Sequence, residues 1–160
     1  MKRIVSLITV IAMLLTLCVA FTGCGDKNTA ETDGIKVGFI FLHDENSTYD
    51  KNFIDAATAA TEALGLKADQ VMFKTNIPES SACYEAAAEL VDAGCDIVFA
   101  DSFGHETYMI EAAKEFTEVQ FCHATGTKAQ TENLANYHNA FASIYEGRFL
   151  AGVAAGMKLN

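Results

Sequence analysis

Apolar and polar positions alternate along this chain in two rhythms, short apolar runs and longer amphipathic stretches. Ile35 to Leu42 is apolar on both alternating faces apart from Lys36, the pattern of a strand buried on both sides. From Tyr49 to Leu64, residues Phe53, Ala56, Ala57, Ala60, Ala63 and Leu64 recur at helical spacing, and Gly65 supplies a stop. Val71 to Phe73 reads as a second strand. Ser80 or Ser81 caps a helix that runs to about Ala93 and ends at Gly94. Asp96 to Ala100 is a third strand, His105 to Phe116 a third helix and Val119 to His123 a fourth strand. A last helix is expected from Asn139 to about Lys158. Strand and helix alternating at this pace predict an α/β fold: an open parallel sheet, right-handed crossovers and helices on both faces.

The first 33 residues follow neither rhythm. Met1-Lys2-Arg3 is basic, Ile4 to Phe21 carries no charge, and Thr22-Gly23-Cys24 follows. That order predicts a signal peptide over residues 1–23, cut before Cys24. The new N-terminal thiol would accept a diacylglycerol and place the protein, lipid-anchored, on the extracytoplasmic face of the cell membrane. Phe21 stands where leucine is commonest. A spanning anchor is the competing reading, since 18 apolar residues just suffice, but the Gly-Cys junction and the polar stretch after it fit processing better. Residues 24–33 are polar and aperiodic, a tether between lipid and domain. Residues 34–160 have room for one modest domain.

The chain carries a formal charge of −10, and loss of Lys2 and Arg3 with the signal takes it to −12. Such acidity disfavours nucleic acid and anionic lipid as partners. Beyond Cys18 and Cys24, three cysteines remain: Cys83, Cys95 and Cys122. The number is odd and none lies in a metal-type pair, so they read as small buried hydrophobes.

In open α/β sheets, ligands bind at the carboxyl ends of the strands. Four loops qualify: His43 to Asp50, Thr75 to Ser80, Asp101 to Glu106 and Ala124 to Lys128. They combine hydrogen-bonding side chains with the aromatics Tyr49 and Phe103, which suits a small, flat, polar ligand such as a nucleobase or nucleoside. Plainer roles compete: Tyr49 and Phe53 as core residues, Asp44 and Ser47 as turn or cap residues, Ser102 and Gly104 as shapers of a turn. His43, His105 and His123 fall near the same edge and raise a zinc alternative, but they come from separate loops without short ligand spacing. No catalytic residues are expected. The chain has no G-x-S-x-G elbow, Walker loop or dinucleotide fingerprint, and an exported protein has no ATP with which to phosphorylate Asp101. No cofactor is expected either. Gly152 to Gly156 matches G-x-x-x-G, read here as close helix packing rather than membrane dimerisation.

Several segments together resemble the basic membrane protein family, which includes purine nucleoside receptor lipoproteins and serves ABC importers. They are KVGFIF in the first strand, Asp50-Lys51-Asn52-Phe53 at the first helix, DIVFADSFGH around the third strand, EVQFCHATGT at the fourth and NYHNAFASIYEGRFLAGVAAGM near the end. The last is the most specific. The resemblance covers nearly all of residues 35–160. It implies a two-lobed, clamp-like binding fold of the periplasmic-binding-protein type and a substrate-binding protein rather than an enzyme, partnered by an ABC permease. It also implies a ligand set. Phe53 would stack on a purine base, Asn52 would hydrogen-bond its edge, and Asp44 would contact the base or ribose. Tyr49 would add a second stacking face, and Ser102 and Phe103 match the family's loop after the third strand. The first loop, HDENST, departs from the glycine-rich loop of many members. Family members are about twice this length, so residues 34–160 are expected to form the first lobe of two. A sensor or adhesin of the same fold, feeding no transporter, is the alternative function; a metal receptor ranks below it.

Overall fold

The computed structural model describes residues 34–159. The predicted signal peptide, Cys24 and the tether lie outside the described residues. Five parallel strands form one sheet in the order β2-β1-β3-β4-β5. They are β1 (Val37–Ile40), β2 (Val71–Lys74), β3 (Ile97–Ala100), β4 (Gln120–Ala124) and β5 (Tyr137–Ala140). The helices are α1 (Thr48–Ala63), α2 (Ser81–Asp92), α3 (Glu106–Glu115), the short α4 (Ala129–Glu132) and α5 (Ile144–Leu159). Val37 lies opposite Val71 on one side and Ile97 on the other, so β1 is an inner strand, with β2 to one side and β3, β4 and β5 to the other.

Alternation along the strands sends side chains into two separate cores. Ile40, Val98 and Phe121 pack beneath α2 and α3 against Ala87, Leu90, Met109 and Ala112, all at most 1% exposed. Val37, Phe39 and Phe41 face the other way, under α1 and its Ala57. The expected helices on both faces are therefore present. A side chain at Gly38 would meet Leu90 about 2.8 Å away, so the glycine in β1 lets α2 lie close to the sheet. Helix boundaries follow the capping chemistry. The Ser47 hydroxyl accepts the Asp50 N–H and the Ser80 hydroxyl accepts that of Ala82. Gly65 and Gly94, at φ of 72° and 86°, carry the chain out of α1 and α2.

Two regions differ from expectation. Residues 137–140 were expected to belong partly to the last helix and instead form β5, an edge strand paired with β4 from Phe121↔Tyr137 to Ala124↔Ala140. Only Tyr137 of that strand is buried. The last helix consequently begins at Ile144. It buries none of its residues, and Phe149, Leu150 and Met157 stand exposed. Tight packing of its G-x-x-x-G stretch on the sheet is not found: nothing lies within 4 Å of the position a side chain would take at Gly152 or Gly156. Among the described residues, no helix is long and apolar enough to cross a membrane.

Candidate functional site

The strand order reverses between β1 and β3, and the loops leaving these strands diverge there. Beside this point opens a cleft of about 790 Å3, lined by Tyr49, Asn52, Phe53, Phe103, Thr125, Phe141 and Arg148 among others. Four of the six expected ligand residues meet here: Tyr49, Asn52 and Phe53 from the start of α1, and Phe103 after β3. The volume lies within the range of small-molecule sites.

Tyr49 and Phe53 sit one helical turn apart, their ring centres 5.0 Å from each other at 52°. The Tyr49 hydroxyl donates to the carbonyl of Asp101, 3.0 Å away, which fixes the ring across from the end of β3. Asn52 donates to the Thr48 carbonyl at 2.5 Å, leaving its amide oxygen as an acceptor. Phe103 is 67% exposed, an apolar ring held in solvent beside the cleft.

The other two expected residues do not line the cleft. The Asp44 carboxylate accepts the backbone and side-chain N–H of Asn46, both at 3.0 Å, and these bonds hold it below the usual carboxylate range. Ser102 is buried; its hydroxyl donates to Glu79 at 2.5 Å and its carbonyl accepts from His123 at 2.6 Å. Glu79 also takes the Gly104 N–H at 2.7 Å. The Ser102 and Gly104 donors lower its pKa, so an ionised Glu79 clasps the loop after β3 to the loop after β2.

The three histidines do not form a metal centre. His43 lies at the surface with its ring on Asp50, 3.1 Å away. His105 and His123 are buried and donate from Nε2 to the carbonyls of Ile77 and Ser102. Burial lowers the pKa of both, so each is neutral with a bare Nδ1. Among the described residues no three metal-ligating side chains are grouped to hold an ion. Among the described residues the cysteines are free; Cys83 and Cys95 are buried and Cys122 partly so. Burial pushes the Cys83 thiol up to about 12, which makes it a poor nucleophile.

Sequence reasoning reached Thr125 only as a member of the loop after β4 and missed Phe141 and Arg148. Thr125 is β-branched yet adopts a φ of 70°, an outlier for such a residue. Its hydroxyl is, among the described residues, one of four buried side-chain atoms without a hydrogen-bond partner; the others are Asp101 Oδ2, His105 Nδ1 and His123 Nδ1. All four belong to residues at or just beyond the carboxyl ends of β3 and β4. Unsatisfied polar atoms and strain gather where a ligand would reach the sheet.

Comparison with known proteins agrees with this architecture. Residues 38–160 match the family model described as ABC transporter substrate-binding protein PnrA-like. A purine-binding protein of Brucella abortus is 35% identical over 124 residues, which are 76% of this chain and 33% of that protein. A Haloferax volcanii protein named as an ABC transporter glucose-binding protein is 27% identical over 122 residues, 76% of this chain and 27% of that one. The chain thus spans about a third or less of the length of these curated relatives. An ABC transporter solute-binding protein from Conexibacter woesei superposes with a TM-score of 0.56 at 18% identity, covering 67% of this chain and 35% of that chain, a likeness of fold alone. The chain belongs to the basic membrane protein family of PnrA-like substrate-binding proteins.

Proposed function

We propose that this chain is the first lobe of a lipid-anchored substrate-binding protein that delivers a purine nucleoside or nucleobase to an ABC importer. The cleft carries the ligand reading. Its aromatic faces, Tyr49, Phe53 and Phe103, suit a flat ring, and the Asn52 amide beside them suits that ring's polar edge. Membership of the family and the purine-binding relative support it. The relatives' greater length and the exposed apolar side chains of α5 support a two-lobed whole, in which further chain covers that helix. A single lobe buries less of its ligand and binds it more weakly than a closed clamp.

The glucose-binding relative favours a second reading, because aromatic faces also stack on sugars. Equilibrium dialysis of the full chain against labelled inosine and labelled glucose separates the two. Retention of inosine, reduced in Asn52→Ala and unaffected by excess glucose, is the expected result; retention of glucose alone would overturn the purine assignment. Anchoring is tested separately by palmitate labelling, which Cys24→Ala should abolish.

A further inference from the structure

Two acids meet at the point where the strand order reverses, and neither lines the ligand cleft. Asp50, in the first turn of α1, is fully buried, and Asp101, following β3, is 2% exposed. Asp50 is saturated with donors. It takes the His43 N–H at 2.9 Å, the Ser47 hydroxyl at 2.5 Å and the His43 ring at 3.1 Å. Asp101 Oδ1 takes the Leu42 N–H at 3.3 Å, while Oδ2 meets no donor. The two carboxyl groups nevertheless lie side by side: Leu42 and His43 are consecutive, and their N–H groups go to Asp101 and Asp50 respectively, while Tyr49, next to Asp50, reaches the Asp101 carbonyl. A hydrogen bond between two carboxyl groups requires a proton on one of them. The donors crowd onto Asp50, so the proton belongs on Asp101 Oδ2.

We propose that Asp50 and Asp101 share one buried proton, and that this proton positions the aromatic wall of the cleft by holding the first turn of α1 against the end of β3. The positioning role in binding rests on the cleft being the ligand site. Chain connectivity supplies the mechanism. Tyr49 adjoins Asp50 and donates to the Asp101 carbonyl, and Phe103 lies two residues beyond Asp101. Loss of the proton leaves two negative charges in contact beside the apolar cavity that Asp101 lines with Phe39 and Phe99. Their repulsion pushes apart the segments that carry the two sides of the cleft.

The energetics run the same way. Burial, and then the charge on Asp50, lifts Asp101 to about 7. Burial also opposes ionisation of Asp50, but the Ser47 hydroxyl and the His43 donors outweigh it and hold Asp50 at about 2. The titratable groups facing the pair are His43 from the loop after β1, Tyr49 from α1, Cys83 from α2 and His105 from the turn before α3, with Glu79 facing Tyr49. Burial raises Tyr49 and Cys83 and lowers His105, so these three keep their neutral forms near pH 7. The pair titrates as a unit, and the upper of its two steps is the one that falls near neutrality.

The test follows the aspartate carboxyl carbons of the full chain by NMR. One resonance should titrate near pH 7 and be missing in D101N, whose amide can donate to Asp50 at every pH and still accept from Leu42. Exchange of the Asp50 and Lys51 amides, corrected for base catalysis, should quicken about tenfold between pH 6 and pH 8.5 in the wild type and not in D101N. With inosine as probe, the wild-type Kd should rise about tenfold over that interval while that of D101N stays level. Titration of every aspartate below pH 5 in the wild type would refute the shared proton, whether or not D101N folds. A shared proton with equal exchange in both proteins would refute the positioning role. If inosine binds at no pH, the purine reading fails, and carboxyl titration and amide exchange still decide the proposal.

Discussion

The sheet face beneath α2 and α3 and the carboxyl edge of the same strands are built from opposite materials. Beneath the helices, Ile40, Leu90, Val98, Met109 and Phe121 interlock at 1% exposure or less. At the edge, Tyr49 and Phe103 are exposed, Thr125 is strained, and buried polar atoms lack partners. Free energy is stored at the edge and not beneath the helices. The core face has satisfied its surfaces within the sheet and its helices, whereas the edge leaves aromatic area and hydrogen-bonding capacity open, as the proposed ligand site requires.

Substitutions should separate the two regions. Leu90→Ala should cost about 3–4 kcal/mol in denaturant unfolding, because it opens a cavity where α2 meets Gly38. Inosine affinity should hold wherever the protein remains folded. A stability loss below about 1 kcal/mol would show that this face is not the close-packed core described.

Next comes pH, with two acids pulling in opposite directions. The folded-state pKa of Asp101 is raised from 3.8 to about 7. Its stabilising contribution is therefore complete below pH 3.8 and lost as pH rises toward 7. Asp50 is lowered to about 2, so its contribution is present above pH 3.8 and lost as pH falls through 2. Between pH 4 and pH 7.5 the Asp50 contribution is constant, while buried His105 and His123, whose pKa values burial lowers, add stability as pH rises; taking D101N as the reference cancels the histidines and leaves the Asp101 effect. Denaturant titrations should show the wild type losing on the order of 2–3 kcal/mol relative to D101N across that window, with solvent screening allowed for. Parallel curves would contradict it.

Gly126→Ala probes the seam between core and edge. The new methyl would meet His123, Glu106 and Asn139. Glu106 also receives the Thr127 and Lys128 N–H groups at 2.7 and 2.8 Å, so little room exists to give way. Thermal melts should register a loss of about 1–2 kcal/mol. Phe103→Ala should do the reverse of the core changes. Stability should move by less than about 0.5 kcal/mol, while calorimetry with inosine should show about 1–2 kcal/mol of lost affinity.

The core face was legible in the sequence because its signals are local. Apolar runs mark β1 to β4, hydroxyls at Ser47 and Ser80 open two helices, and Gly65 and Gly94 close them. β5 escaped because an edge strand needs little apolar surface: of Tyr137, His138, Asn139 and Ala140 only the tyrosine is buried. Reading that stretch as part of a helix also hid Phe141 and Arg148, which reach the cleft only because the chain runs on past a strand there. That Tyr49, Asn52, Phe53 and Phe103 line one cleft was legible from the rule that ligands meet strand ends, joined to the family resemblance; that they bind a ligand is the proposal. Asp44 and Ser102 lie in the loops after β1 and β3, but their side chains turn to Asn46 and Glu79 rather than to the cleft. The backbone of Thr125 and the contact of Asp50 with Asp101, 51 positions apart in the chain, leave no local trace in composition or periodicity.

The central claim, that the edge cleft takes a purine, is met most directly by thermal melting of the full chain at millimolar inosine, guanosine, adenosine and glucose. A higher melting temperature is expected with at least one purine nucleoside, lost in Phe53→Ala when compared with that variant's own unliganded melt. No shift with any purine, alongside a clear shift with glucose, would contradict it.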